Sequence, residues 1–85
     1  MNLELPYSTS DTALAAYLIA EGYELHEIDY SSPRFEFIFT NGNDKITKDV
    51  DLYITSKALV DPATYNRVYR RLTRIIRNQS QWWGE

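Results

Sequence analysis

The chain has 85 residues, with twelve acidic and nine basic side chains, a formal net charge of −3 and no cysteine. A chain of this length is expected to fold as one small domain, too small for a cofactor cleft between two lobes. The missing cysteines exclude disulfide scaffolds, thiol nucleophiles, zinc ribbons and iron–sulfur clusters, so apolar packing must stabilise the fold.

The first part of the chain predicts a short strand followed by a helix. Residues 2–7 alternate apolar and polar side chains, and the proline among them favours an edge strand. Residues 8–11 offer four possible N-caps, and helix-forming residues continue from 12 to 21 before Gly22, which is typical of a helix C-terminus. Apolar side chains lie on nearly every face of this helix, so we expect other elements to cover most of its surface.

A β-hairpin is predicted next, with strands over 23–30 and 34–40 and a turn at Ser31-Ser32-Pro33. Three phenylalanines alternate along the second strand, and we expect them in the core. The apolar pattern of the first strand changes phase near His26-Glu27, which indicates a bulge or a twisted end.

Residues 45–55 fit both helical spacing and strand alternation. We predict a helix, because Asn43 or Asp44 can cap it and its charged residues fall mainly away from the apolar side. Asp61-Pro62 then predicts the start of a helix that reaches about Asn78. The expected fold is α+β in the order αββαα, with a two- or three-stranded antiparallel sheet packed by helices. The expected single domain has its core at about 8–78 and a Trp-containing tail at 79–85.

The last predicted helix separates apolar and cationic side chains. At 100° per residue its apolar positions form one arc, and its arginines form the opposite arc, a ribbon roughly 15 Å long. Residues 1–60 hold four bases and ten acids, net −6, whereas residues 61–85 hold five bases and two acids, net +3. The arginines expected to be exposed are Arg67, Arg70, Arg71, Arg74 and Arg77.

Three interpretations of this ribbon stay open. It could bind an acidic protein partner, or it could follow the phosphates of single-stranded nucleic acid while nearby tyrosines stack on bases. The acidic charge of the whole chain argues against nucleic acid. In the third interpretation the arginines only solubilise the helix and pair loosely with acids elsewhere in the fold. Those acids are Glu21, Glu24, Glu27 and Asp51.

Trp82 and Trp83 lie beyond the periodic pattern of the last helix, and tryptophan is common among interface hot spots. One indole could fold back on the domain while the other contacts a partner or a second copy of the chain. Alternatively, both lie against the body, or the tail is disordered. The predicted partner-binding set is therefore the five arginines with Trp82 and Trp83, and a homodimer is a further possibility.

The sequence offers little catalytic chemistry. His26 is the only histidine, and a solvent-facing position beside Glu27 explains it without catalysis. A calcium loop starting at Asn41 would need glycine and glutamate where Ile46 and Leu52 stand. The three glycines are isolated, so no phosphate-cradling loop is present. We expect no enzymatic activity, no metal and no cofactor.

We also expect a cytoplasmic protein with no membrane partner. The longest apolar run, residues 13–20, is far shorter than the roughly twenty residues that span a bilayer. The first ten residues carry a single charge, Glu4, where a secretory signal would begin with basic residues.

Several segments together resemble a family of short bacterial, archaeal and phage domains of unknown function, over about residues 8–77. They are Ser10-Asp11-Thr12-Ala13-Leu14-Ala15-Ala16-Tyr17-Leu18, Gly22-Tyr23, Phe37-Ile38-Phe39, Leu59-Val60-Asp61-Pro62, Tyr65 and Tyr69-Arg70-Arg71-Leu72. The resemblance implies a prokaryotic or phage genome and carries no catalytic residues. We therefore expect a non-enzymatic interaction module, encoded by a phage or mobile element, that binds and could inhibit a host or defence protein.

Overall fold

A computed structural model describes residues 6–31, 33–40 and 44–84. Helices and strands follow in the order β-α-β-β-α-α, so the predicted α+β class and the order of the main elements are confirmed. The elements are β1 (Tyr7–Thr9), α1 (Thr12–Ala20), β2 (Leu25–Asp29), β3 (Glu36–Phe39), α2 (Asp44–Ile54), α3 (Pro62–Arg77) and a short 3₁₀ turn (Trp82–Gly84). Within the described ranges, no helix is both long and apolar enough to cross a membrane.

The three strands form one antiparallel sheet in the order β1-β3-β2, with β3 in the centre. The described first strand continues past the predicted end at residue 7, since Ser8 and Thr9 also pair with β3. Residues 1–5, most of which belong to the predicted strand over 2–7, lie outside the described residues. Because Ser8 and Thr9 belong to the sheet, the N-cap of α1 falls to Asp11, whose Oδ1 accepts a hydrogen bond from the Leu14 amide at 3.2 Å.

The predicted phase change in the first hairpin strand is a β-bulge. The register of β2 against β3 shifts between Leu25 and Glu27, so His26 is the extra residue. Leu25 and Ile28 are three residues apart and would face opposite sides of a regular strand. With the bulge, both face the core and are only 4 % and 1 % exposed.

Helix α1 is buried along its centre, where residues 14–18 are each at most 5 % exposed, as its apolar composition predicts. The small side chains of Ala15 and Ala16 let neighbouring elements approach closely, and α1 packs against both α2 and α3. The helix ends before Gly22, whose φ of +105° is a conformation that side chains with a Cβ rarely adopt.

The ambiguous segment after the hairpin is helical, as predicted, because Ile46 and Val50 both turn into the core at i, i+4 spacing. Asn43, one of its two proposed caps, lies outside the described residues. The phenylalanine alternation is also confirmed, since Phe37 and Phe39 are fully buried and Phe35 packs against the core. The largest fully buried side chains are Phe37, Phe39, Leu18, Ile28, Ile46, Leu72 and Ile75.

Candidate partner-binding surface

The surface of α3 is set by how that helix begins and which residues it buries. The Asp61 carboxylate accepts hydrogen bonds of 2.8 Å from both the amide and the hydroxyl of Thr64, and Pro62 occupies the first helical position. These hydrogen bonds lower the pKa of Asp61, and the positive charge of Arg67 lowers it further. Val68, Leu72 and Ile75 are buried, which turns the opposite side of α3 to solvent.

Four arginines lie on that exposed side, and we call them the cationic face: Arg67, Arg70, Arg74 and Arg77. They repeat at spacings of three or four residues, so their side chains follow one another along roughly 15 Å of helix. The first three also line an open groove of about 420 Å³, together with Arg71, Ala63 and Asn66. This groove gives the cationic face a concave part into which an acidic side chain can fit.

Arg71 does not belong to the exposed ribbon, contrary to the sequence prediction. It is half-buried, its Cζ lies 3.8 Å from the centre of the Trp82 ring, and its Nη2 donates a hydrogen bond of 2.7 Å to the Trp82 carbonyl. Its helix position explains this, because residue 71 is three residues after buried Val68 and four before buried Ile75. Arg71 therefore lies at the border of the buried side of α3, where the ring of Trp82 packs against it.

Three members of the cationic face make no direct ion pair within the described part of the chain. Among the residues that the structure describes, no carboxylate lies within 4 Å of Arg67, Arg70 or Arg77. The loose pairing with acids elsewhere, which the sequence allowed, is therefore not observed for these three. His26 instead lies beside its neighbour Glu27, with Nε2 3.7 Å from Oε1 and side chains 61 % and 47 % exposed, as the solvent-facing interpretation of His26 predicts.

The tyrosines of α3 do not lie beside the cationic face. Tyr65 and Tyr69 stack on one another, with ring centres 6.0 Å apart and planes at 18°. The Tyr65 hydroxyl lies 3.4 Å from the Ala13 carbonyl and donates to it, which ties this ring to α1. The two tyrosine rings would have to leave these contacts before nucleic-acid bases could stack on them alongside the arginines.

The C-terminal tail, residues 79–84, is docked on the domain. Trp82 is half-buried against the core and under the guanidinium of Arg71. Trp83 is 68 % exposed, yet its indole N–H donates to the His26 carbonyl at 2.9 Å. The two indoles thus differ in position, with the first folded back and the second largely in solvent.

Gln81 is a tail residue that sequence reasoning missed. Its side-chain amide makes two hydrogen bonds of 2.7 Å to the backbone of Ile28, one to the N–H and one to the C=O. The Tyr30 hydroxyl adds a bond of 2.7 Å to the Ser80 carbonyl. These contacts join residues about fifty positions apart in the chain. No local pattern in the sequence predicts them.

A second concave surface lies at the corner between α2 and α3. It has a volume of about 630 Å³ and is lined mainly by Tyr17, Tyr53, Tyr65 and the apolar side chains around them. Burial raises the pKa of all three tyrosines, so their hydroxyls stay protonated at neutral pH. Leu59, next to this surface in the chain, is 88 % exposed.

The chain was also compared with known protein families. The model of a family described as "Domain of unknown function (DUF5659)" matches residues 4–78, which is most of the chain and ends before the docked tail. The chain has no significant similarity to a curated protein or to a solved structure.

Proposed function

The chain belongs to the DUF5659 family of domains of unknown function, and we propose that it is a non-enzymatic interaction module whose cationic face binds an acidic protein segment. The observation that carries this proposal is the row of exposed arginines on α3. Arg67, Arg70 and Arg77 have no carboxylate of the described chain within 4 Å. Their guanidinium groups are free to form charge-assisted, bidentate hydrogen bonds with carboxylates of a partner.

Two features favour a protein partner over nucleic acid. The chain as a whole carries a net charge of −3, and residues 1–60 carry ten of its twelve acids, so a long polyanion would be repelled outside the cationic face. Tyr65 and Tyr69 also use their rings on one another. A short acidic helix or peptide can meet the four arginines without extending over the acidic remainder of the surface.

Binding to defined probes tests the proposal. The full chain is titrated into a fluorescently labelled peptide rich in glutamate and, separately, into a labelled oligothymidine, with anisotropy as the readout at low and moderate salt. We expect the peptide to bind and the double variant Arg70→Glu with Arg74→Glu to weaken that binding roughly tenfold or more, because attraction becomes like-charge repulsion.

A matched control separates the cationic face from net charge. The double variant Lys48→Glu with Lys57→Glu changes the charge of the chain equally but alters two exposed lysines outside α3, one on α2 and one in the loop after it. It should keep most of the peptide affinity. An equal loss in both variants, or no peptide binding at low salt, contradicts the proposal. Binding of the oligonucleotide but not of the peptide would instead favour nucleic acid.

A further inference from the structure

Among the strands that the structure describes, β2 lies at an edge of the sheet, because β3 pairs with it on one side only. The backbone groups on the other side of an edge strand are available for pairing with a further strand. In β2 these outward groups include the N–H and C=O of Ile28 and the C=O of His26. In this structure the tail occupies all three of them.

Side chains of the tail form the hydrogen bonds to β2 that the backbone of a neighbouring strand would form. The Gln81 amide accepts from the Ile28 N–H and donates to its C=O, both at 2.7 Å, as a residue of an antiparallel strand would do with its own backbone. The Trp83 indole supplies the next donor, 2.9 Å from the His26 carbonyl. The tail backbone itself forms a 3₁₀ turn from Trp82 to Gly84 and adds no strand to the described sheet.

We propose that the outer edge of β2 is a docking site for an extended segment with basic side chains, and that the tail closes this site as an internal substitute. The acidic side chains beside this edge indicate that the docked segment is basic. Leu25 and Ile28 point into the core, whereas Glu24 is exposed and Glu27 and Asp29 are partly exposed. None of the five residues of β2 is lysine or arginine.

The same charges disfavour a second copy of the chain at this edge. If two copies of β2 paired antiparallel about Ile28, Glu27 of one copy would stand opposite Asp29 of the other. A shift of two residues between the copies, or a parallel pairing in register, would place Glu27 opposite Glu27. Like charges directly opposite one another destabilise a strand pair, whereas lysines or arginines at alternate positions of a partner would be attracted.

Opening the tail in the full-length chain tests this proposal. The variant Gln81→Ala removes both bonds to Ile28, and Trp83→Phe keeps an aromatic ring but removes the donor to His26. The probes are a short labelled peptide that alternates lysine with valine or threonine and a matched peptide with glutamate for lysine. We expect Gln81→Ala to bind the lysine peptide roughly tenfold more tightly than the unaltered chain, because a larger fraction has a free edge.

Amide hydrogen exchange at Ile28 locates the binding. Its N–H should exchange faster in free Gln81→Ala than in the unaltered chain and become protected again when the lysine peptide binds. The proposal is overturned if both chains bind the peptide equally or if the glutamate peptide binds as well. It is also overturned if the free variant sediments as a dimer, since the occupant would then be a second copy.

Two further variants control for misfolding of Gln81→Ala and for binding of the peptide away from β2. If Gln81→Ala does not fold, as judged by circular dichroism, Trp83→Phe decides the outcome by the same titration. Arg70→Glu with Arg74→Glu should leave binding of the lysine peptide to Gln81→Ala unweakened, because these residues lie on α3 and not beside β2. Because the peptide is itself cationic, a strong gain of binding in this combined variant would show that it follows negative charge anywhere on the chain rather than the β2 edge, and would overturn the proposal.

Discussion

The guanidinium of Arg71 lies over the ring of Trp82, with Cζ 3.8 Å from the ring centre, and donates a 2.7 Å hydrogen bond to the carbonyl of the same residue. One side chain of α3 thus holds both the ring and the backbone of the tail. Since Gln81 precedes Trp82 directly, this contact also helps to place the Gln81 amide at Ile28. Arg71 is therefore a structural residue, whereas Arg70 beside it is exposed.

This difference predicts that Arg71→Ala destabilises the domain by about 2 kcal/mol. The figure combines a cation–π contact of roughly 1 kcal/mol with the loss of a partly buried, charge-assisted hydrogen bond. Arg70→Ala, the neighbouring control on the cationic face, should change the free energy of unfolding by no more than about 0.5 kcal/mol. Urea unfolding followed by tryptophan fluorescence measures both, and equal effects would contradict the structural role of Arg71.

Gly22→Ala is expected to cost about 1–3 kcal/mol, because the backbone at this position has φ +105°. A Cβ added there meets no atom within 4 Å, so the cost comes from the backbone conformation and not from a clash. Glu21→Ala, at the exposed residue before it, provides the comparison. Thermal unfolding of the two variants should differ clearly, and a Gly22→Ala variant as stable as the unaltered chain would refute this explanation.

Two phenylalanines of the same strand face provide a graded test of the core. Phe37 is fully buried, whereas Phe35 is partly buried and meets the Phe37 ring edge-on, with centres 5.4 Å apart. Phe37→Ala should cost about 3–5 kcal/mol through lost burial and a new cavity, which is a large share of the stability of a small domain. Phe35→Ala should cost clearly less in the same urea titration. A larger loss of unfolding free energy in Phe35→Ala than in Phe37→Ala would contradict the central position of Phe37 in the core.

Much of this fold could be predicted because its determinants are local in the chain. The Asp61-Pro62 pair fixes the start of α3, and the change of apolar phase at His26 is itself the signal of the bulge. The first strand is harder to place, because Ser8 and Thr9 have the composition of helix caps and only their pairing with distant β3 makes them part of the sheet.

The candidate site was less predictable, because contacts distant in sequence decide it. Helical periodicity at 100° per residue places the five arginines outside the apolar arc, with Arg71 at its border, but does not show that Trp82 folds back onto Arg71. The role of Gln81 depends on Ile28, which is fifty-three residues away in the chain. A single glutamine carries no periodic signal, so only the folded geometry reveals that it closes the β2 edge.

The buried tyrosines predict that the domain loses stability in alkali. Burial raises the pKa of six tyrosines above 10.0, and for Tyr23 a 2.5 Å hydrogen bond to the Asp49 carboxylate raises it further. The six are Tyr7, Tyr17, Tyr23, Tyr30, Tyr53 and Tyr65. A group whose pKa is higher in the folded state contributes stability that is complete below its unfolded pKa and is lost as the pH rises.

We therefore expect the free energy of unfolding to fall as the pH rises above about 10, where unfolded tyrosines ionise and the buried ones resist. Tyr23→Phe should flatten this fall, because it removes the group with the largest upward shift of the pKa. Asp49→Asn should flatten it less, since the amide oxygen still accepts the hydrogen bond while the carboxylate charge is gone. Urea unfolding at several alkaline pH values, with tyrosinate absorbance recorded in parallel, measures each effect. Since Tyr69 is 37 % exposed, the burial argument fails if tyrosinate absorbance equivalent to more than one tyrosine per chain forms while the circular dichroism of the folded state persists.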